Sequence, residues 1–209
     1  FNFIKMKKNV ILIVVALMAF AVGASAQGFG VNAGVNFFNQ TIKGGGIELD
    51  TKMLTGFHVG VDYEIAVAPD FFFAPGLQFS TKGSKLEEDF LGLGTEEVKD
   101  QLNYLEVPLN LVYKPLLGNG NLIVNFGPYL GYGIGGKSKS DEGDEDIEFG
   151  SGDDEIKPFD MGANIGFGYM LGNGLSFKLN AQLGLINLAN IDDLTYKNNG
   201  FGLSVGYRF

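Results

Sequence analysis

The 209-residue chain has no cysteine, no tryptophan, one histidine (His58) and only six prolines. Without cysteine there is no disulfide framework, no thiolate-ligated zinc, no iron–sulfur cluster, no thiol nucleophile and no lipid-modified cysteine. A single histidine rules out a multi-histidine metal site. Basic residues are also scarce: 15 Lys and Arg face 24 Asp and Glu, for a formal net charge of −9. No basic cluster occurs outside the N-terminus, which argues against nucleic acid as a partner. What the chain has in excess is glycine (32), beside 19 Phe and 8 Tyr. That pairing is foreign to ordinary helical or α/β enzymes and lacks the period of collagen. It implies an all-β protein whose strands carry aromatics on one face and glycine on the other.

Met6, Lys7 and Lys8 form a short basic stretch, Val10 to Val22 are 13 consecutive apolar residues, and Ala24-Ser25-Ala26 follows. Basic, apolar and small-residue regions in that order predict a secretory signal peptide cut after Ala26. As a helix the apolar run rises only about 20 Å, too short for a hydrocarbon core of ~30 Å. Residues 1–5 precede the natural start candidate Met6. The expected division is therefore 1–26 as leader and 27–209 as one domain. Lys5, Lys7 and Lys8 leave with the leader, so the mature 183 residues carry 12 basic and 24 acidic groups, net −12.

No long helical pattern survives in the mature chain, but period-two alternation recurs in eight segments: 28–38, 54–67, 71–82, 101–114, 122–135, 158–171, 175–186 and 200–209. In 158–171, for example, Phe159, Met161, Ala163, Ile165, Phe167 and Tyr169 alternate with Asp160, Gly162, Asn164, Gly166 and Gly168. These lengths suit membrane-crossing strands of about 9–11 residues. Connections alternate in length: 68–70, 115–121 and 172–174 are short, while 39–53, 83–100, 136–157 and 187–199 are long and polar. Short turns at one end and long loops at the other predict an eight-stranded antiparallel up-and-down transmembrane β-barrel, with turns and termini periplasmic and loops extracellular in a Gram-negative outer membrane.

The apolar face must then point to lipid. Its five or six large side chains per strand exceed the volume that an eight-stranded interior can hold. The opposite face carries at least twelve glycines, which suit a crowded lumen. Ionisable residues fall on that face as well: Asp62, Glu64, Lys82, Glu106, Asp160, Lys178 and Arg208. Buried charges are costly unless paired, so these residues are expected to form a polar network plugging the lumen. Tyr63, Phe71, Phe73, Tyr113, Tyr132 and Tyr169 lie near segment ends, where interfacial girdles belong.

The motifs Tyr104-Leu105-Glu106-Val107-Pro108-Leu109, Asp160-Met161-Gly162 with Gly166 and Gly168, Gly184-Leu185-Ile186-Asn187-Leu188 and the terminal Gly206-Tyr207-Arg208-Phe209 resemble the PorT-like outer-membrane β-barrel proteins of Bacteroidota. The resemblance spans the mature chain. It implies an OmpA/OmpX-like architecture inserted by the barrel-assembly machinery, with Phe209 as the C-terminal insertion signal. Because PorT is associated with protein secretion across the outer membrane, it also implies an accessory secretion role as one alternative.

Three patterns bear on chemistry. Nine acids crowd residues 141–155; Asp141, Glu142, Asp144, Glu145 and Asp146 are weak candidates for a divalent cation, but the spacing misses the Ca²⁺-loop pattern and a solvated, mobile acidic loop is expected. His58, with Asp62 further along the same face, raises a Ser-His-acid site acting on lipid; a structural lumen hydrogen bond is the expectation. Gly44-Gly45-Gly46 lacks the Lys-Ser/Thr and helix of a phosphate loop. The expected protein is non-enzymatic and needs no cofactor. Its expected partners are outer-membrane lipid, lipopolysaccharide, the assembly machinery and an unidentified surface ligand met by the long loops, with a lipid-modifying enzyme as the remaining alternative.

Overall fold

The computed structural model describes residues 28–49, 51–89, 95–140, 143–152 and 154–209. The expected leader, Asp141 and Glu142 lie outside these residues. Twelve strands follow in order: β1 (Phe29–Gly44), β2 (Ile47–Leu49), β3 (Lys52–Tyr63), β4 (Ile65–Ala68), β5 (Phe71–Asp89), β6 (Thr95–Tyr113), β7 (Leu116–Leu117), β8 (Gly120–Ser140), β9 (Gly143–Ile147), β10 (Phe159–Leu171), β11 (Leu175–Gly184) and β12 (Leu194–Arg208). Eight of them, β1, β3, β5, β6, β8, β10, β11 and β12, pair antiparallel in sequence, and β12 closes onto β1 from Gly30↔Arg208 to Gly44↔Leu194. The ring leaves no open edge, as a sheet in hydrocarbon requires. The remaining short strands β2, β4, β7 and β9 flank the eight staves at their ends.

Parity sets the faces. Along β10 exposed Phe159, Met161, Ala163, Ile165 and Phe167 alternate with buried Asp160, Gly162, Asn164, Gly166 and Gly168. Ile165 is 61% exposed and Asp160 is 0% exposed, the reverse of a soluble barrel. The outer belt is continuous across strands, since Val59, Phe79, Leu105, Tyr132 and Phe159 share one rung. At the turn end Phe71 stacks on Tyr113 with centroids 4.7 Å apart, and the Tyr169 hydroxyl donates to Leu117 O at 2.7 Å. Inside, a Cβ on Gly34, Gly127 or Gly162 would collide with the carbonyl oxygen of Leu203, Leu109 or Leu183 on the neighbouring stave. Only glycine permits that backbone approach.

The strands differ from the sequence expectation in two respects. Segment 54–67 is interrupted at Glu64, whose amide donates to Gly28 O at 2.7 Å, so it becomes β3 and β4. Strand pairing also extends into each of the long polar stretches. β5 and β6 stay paired out to Asp89↔Thr95, β8 runs to Ser140 and folds back on β9, and β1 and β12 pair to Gly44↔Leu194. Beyond the apolar belt both faces of a strand meet polar surroundings, so alternation in hydrophobicity fades while backbone pairing continues.

Candidate functional site

The polar lumen is built in layers. Nearest the loop end, Lys82 on β5 places Nζ 2.6 Å from Glu106 Oε1 and 3.1 Å from Asp160 Oδ2. The rings of Phe38, Tyr104 and Tyr129 surround the ammonium, with Tyr129 closest at 4.2 Å from its centroid. Tyr129 Oη and Asn198 Nδ2 donate to Asp160, while Gln78 Nε2 and Gln182 Nε2 donate to Glu106 Oε2. Lys82, Glu106 and Asp160 are at most 1% exposed. Two carboxylates sharing one ammonium leave this layer one negative charge in surplus. Removing water from three charges is tolerable only because each is met by opposite charge, aromatic face or amide.

At the turn end, Arg208 Nη2 sits 2.5 Å from Asp62 Oδ2 and 3.0 Å from Glu64 Oε1, and Lys114 Nζ pairs with Glu64 Oε2. Arg208 Nη1 also donates to Gly28 O at 2.8 Å, tying the last strand to the first residues of the barrel. The sequence-predicted residues thus fall into two clusters, Lys82 with Glu106 and Asp160, and Asp62 with Glu64 and Arg208. Lys178 joins neither as an ion pair. Lys114 is a lumen residue missed in the sequence, although parity with Glu106 and Asn110 puts it on that face. Phe209, the expected insertion signal, packs its ring 5.9 Å from Phe29 and 5.1 Å from Tyr207.

Between the clusters lies a hydrogen-bond chain. His58 Nδ1 is 2.7 Å from Asn36 Oδ1, and Nε2 is 2.8 Å from Ser204 Oγ. Asn36 Nδ2 donates to Ser80 Oγ at 3.0 Å, which makes Asn36 Oδ1 the acceptor of His58 Nδ1–H. His58 Nε2 then accepts the Ser204 hydroxyl hydrogen, and Asn180 Nδ2 donates to Ser204 Oγ at 3.0 Å. The serine comes from β12, 146 residues away, a proximity no local sequence signal carries. The chain borders a cavity of about 110 Å³ lined by residues of the staves.

Above Lys82 the loop end is covered. Phe149 sets its ring edge-on to Tyr104 at 5.7 Å and occupies the space a Cβ on Gly133 would need. Leu102 and Leu188 are 0% exposed. Phe149 and Ala189 both bridge to Ile156. Asn190 Nδ2 reaches the carbonyls of Gly150, Gly152 and Glu155 at 2.9–3.2 Å. The described part of the acidic stretch is therefore folded rather than a free loop, because β9 pairs with β8 and residues 148–152 and 154–157 turn back over the barrel mouth. Asp144, Glu145 and Asp146 are exposed on β9, and Asp146 pairs with Lys137. Among the described residues no group of three or more His, Asp or Glu side chains is placed to hold a metal ion.

Solved structures with this architecture include Neisserial surface protein A, 10% identical, covering 87% of this chain and 97% of that one with a TM-score of 0.50. Ail of Yersinia pestis (18% identity, 88% and 99% coverage, TM-score 0.41) and OprG of Pseudomonas aeruginosa (15%, 87% and 95%, 0.44) are also similar. No curated protein matches the sequence. The closed ring and outward apolar belt agree with a match over residues 12–209, by which the chain belongs to the outer membrane protein beta-barrel domain family.

Proposed function

We propose that this protein is a non-enzymatic integral outer-membrane barrel with a sealed lumen, acting structurally or through surface recognition by its projecting hairpins. The Lys82 layer carries the reading: side chains from β1, β5, β6, β8, β10, β11 and β12 meet across the lumen, which supports a plugged interior. In this reading the short turns and termini lie in the periplasm and the hairpins stand among lipopolysaccharide. A signal peptide ending at Ala26 delivers the chain, and the barrel-assembly machinery inserts it using Phe209. The chain Ser204–His58–Asn36 has the hydrogen bonds of a nucleophile and base, but it ends in an amide where a triad has a carboxylate, and Ser204 sits within the β1 and β11 ladders, whose backbone amides already bond carbonyls.

Planar-bilayer recording from pure monomer tests the seal: no large, stable conductance is expected, and such a conductance would overturn it. Protease added to intact cells should clip within residues 141–157, and protection there would reverse the orientation. Mass spectrometry of lipid A should be unchanged by expression of the protein. The PorT-like motifs support a second reading, an accessory role in protein secretion, which loss of secreted cargo in a deletion strain would favour.

A further inference from the structure

The lumen cavity is lined by six side chains that spend no hydrogen bond on protein. Asn32, Asn110, Asn125, Asn164, Ser176 and Lys178 all border its 110 Å³, and among the described residues none has a protein hydrogen-bond or ion-pair partner. The Asn110 carboxamide oxygen is buried and unsatisfied. Five are neutral groups that can turn a donor inward. The sixth is a cation.

Lys178 extends from β11 opposite Gly168 on one side and Ser204 on the other, its stem filling the space that the missing Gly168 side chain leaves. Every lumen carboxylate is already engaged. Asp62 is held by Arg208, Glu64 by Arg208 and Lys114, and Glu106 and Asp160 by Lys82. Asp62 and Glu64 attract Lys178 and Arg208 repels it, all without contact. An ammonium facing a polar cavity inside the barrel without a paired charge keeps a desolvation cost that neutral amides only partly offset.

We propose that this cavity is an internal binding site for a small monovalent anion, of the size of a halide or nitrate. The anion lies against Lys178 Nζ, with Ser176 and Asn180, its neighbours on the same face of β11, and the cavity amides turned to donate. The surplus negative charge of the Lys82 layer lies beyond Gln78 and Gln182, whose amides cover Glu106 on the cavity side. The site holds the two ion-paired clusters apart and keeps the mid-lumen occupied. This goes beyond the sealed-barrel reading and stands or falls separately from it.

The test refolds full-length mature protein from urea into detergent while sodium bromide replaces sodium gluconate at constant ionic strength, so that the ion can enter before the lumen closes. Gluconate is the reference anion because it is far bulkier than bromide. The urea midpoint should rise saturably with bromide in the wild type. It should be flat in Lys178→Met, and in Ser176→Asp, which supplies an internal carboxylate to the ammonium. Crystals from the bromide sample should show an anomalous peak beside Lys178 Nζ. No bromide dependence, or the same dependence in all three proteins, overturns the site. If neither variant folds, the wild-type crystal decides alone: a cavity holding only water overturns it.

Discussion

Lys82 concentrates more of the interior chemistry than any other residue. Lys82→Met would strand Glu106 and Asp160 without a counter-ion, an imbalance that costs about 3–5 kcal/mol when one partner of a buried pair is removed. The expected result is a large drop in urea midpoint in detergent. The triple variant Lys82→Met, Glu106→Gln, Asp160→Asn should recover most of it, because no charge is then left unpaired. Gly162→Leu is expected to fail for a steric reason, since the new side chain would meet the Leu183 carbonyl and the Tyr129 ring. Overpacking of about 1–3 kcal/mol is the usual floor, and a backbone clash exceeds it. The check is the fraction that refolds. At this scale parity was a good guide, because alternate residues of a strand must face opposite ways. It put Asp62, Lys82, Glu106, Asp160, Lys178 and Arg208 inside without saying which would touch.

At the scale of elements, the eight apolar segments were legible and their polar extensions were not. A stave such as β10 is recognisable because lipid and lumen impose opposite demands on alternate residues. The outer parts of β5, β6 and β8 carry no such contrast and read as loop. The 148–157 segment was legible only as acidic. Its contribution to the fold comes from Phe149 and Ile156, two apolar residues among the charges, which meet Tyr104 and Ala189 respectively. Phe149→Ala should leave the staves intact while loosening the cover. Because this ring is only half-buried, its loss should cost less than the ~3–5 kcal/mol of a core phenylalanine. Limited proteolysis should cut residues 148–157 faster in the variant, with the gel mobility of the folded barrel unchanged.

The whole molecule is an inverted protein: apolar outside, ionic inside, and held by a closed ladder. Ile165→Lys, placed in mid-belt, should destabilise the protein by about 2–4 kcal/mol when folded into liposomes, the range for a cation at the bilayer midplane. Comparison of urea midpoints in liposomes and in detergent gives the lipid contribution. Unheated protein should migrate as a compact species on a denaturing gel and shift to its full chain mobility on boiling; one mobility under both conditions would contradict a closed ladder. The sequence alone determined the strand class, the eight-fold count, the outward direction of the apolar face and the placement of charge in the lumen, since the bilayer imposes these on each strand independently through period-two alternation. Only the tertiary structure decided which charges pair, that Ser204 meets His58, that Phe149 and Ile156 lie over the mouth, and that Lys178 is left facing a cavity. Those facts depend on stagger between staves far apart in the chain, which closure of the ring fixes and local pattern cannot carry.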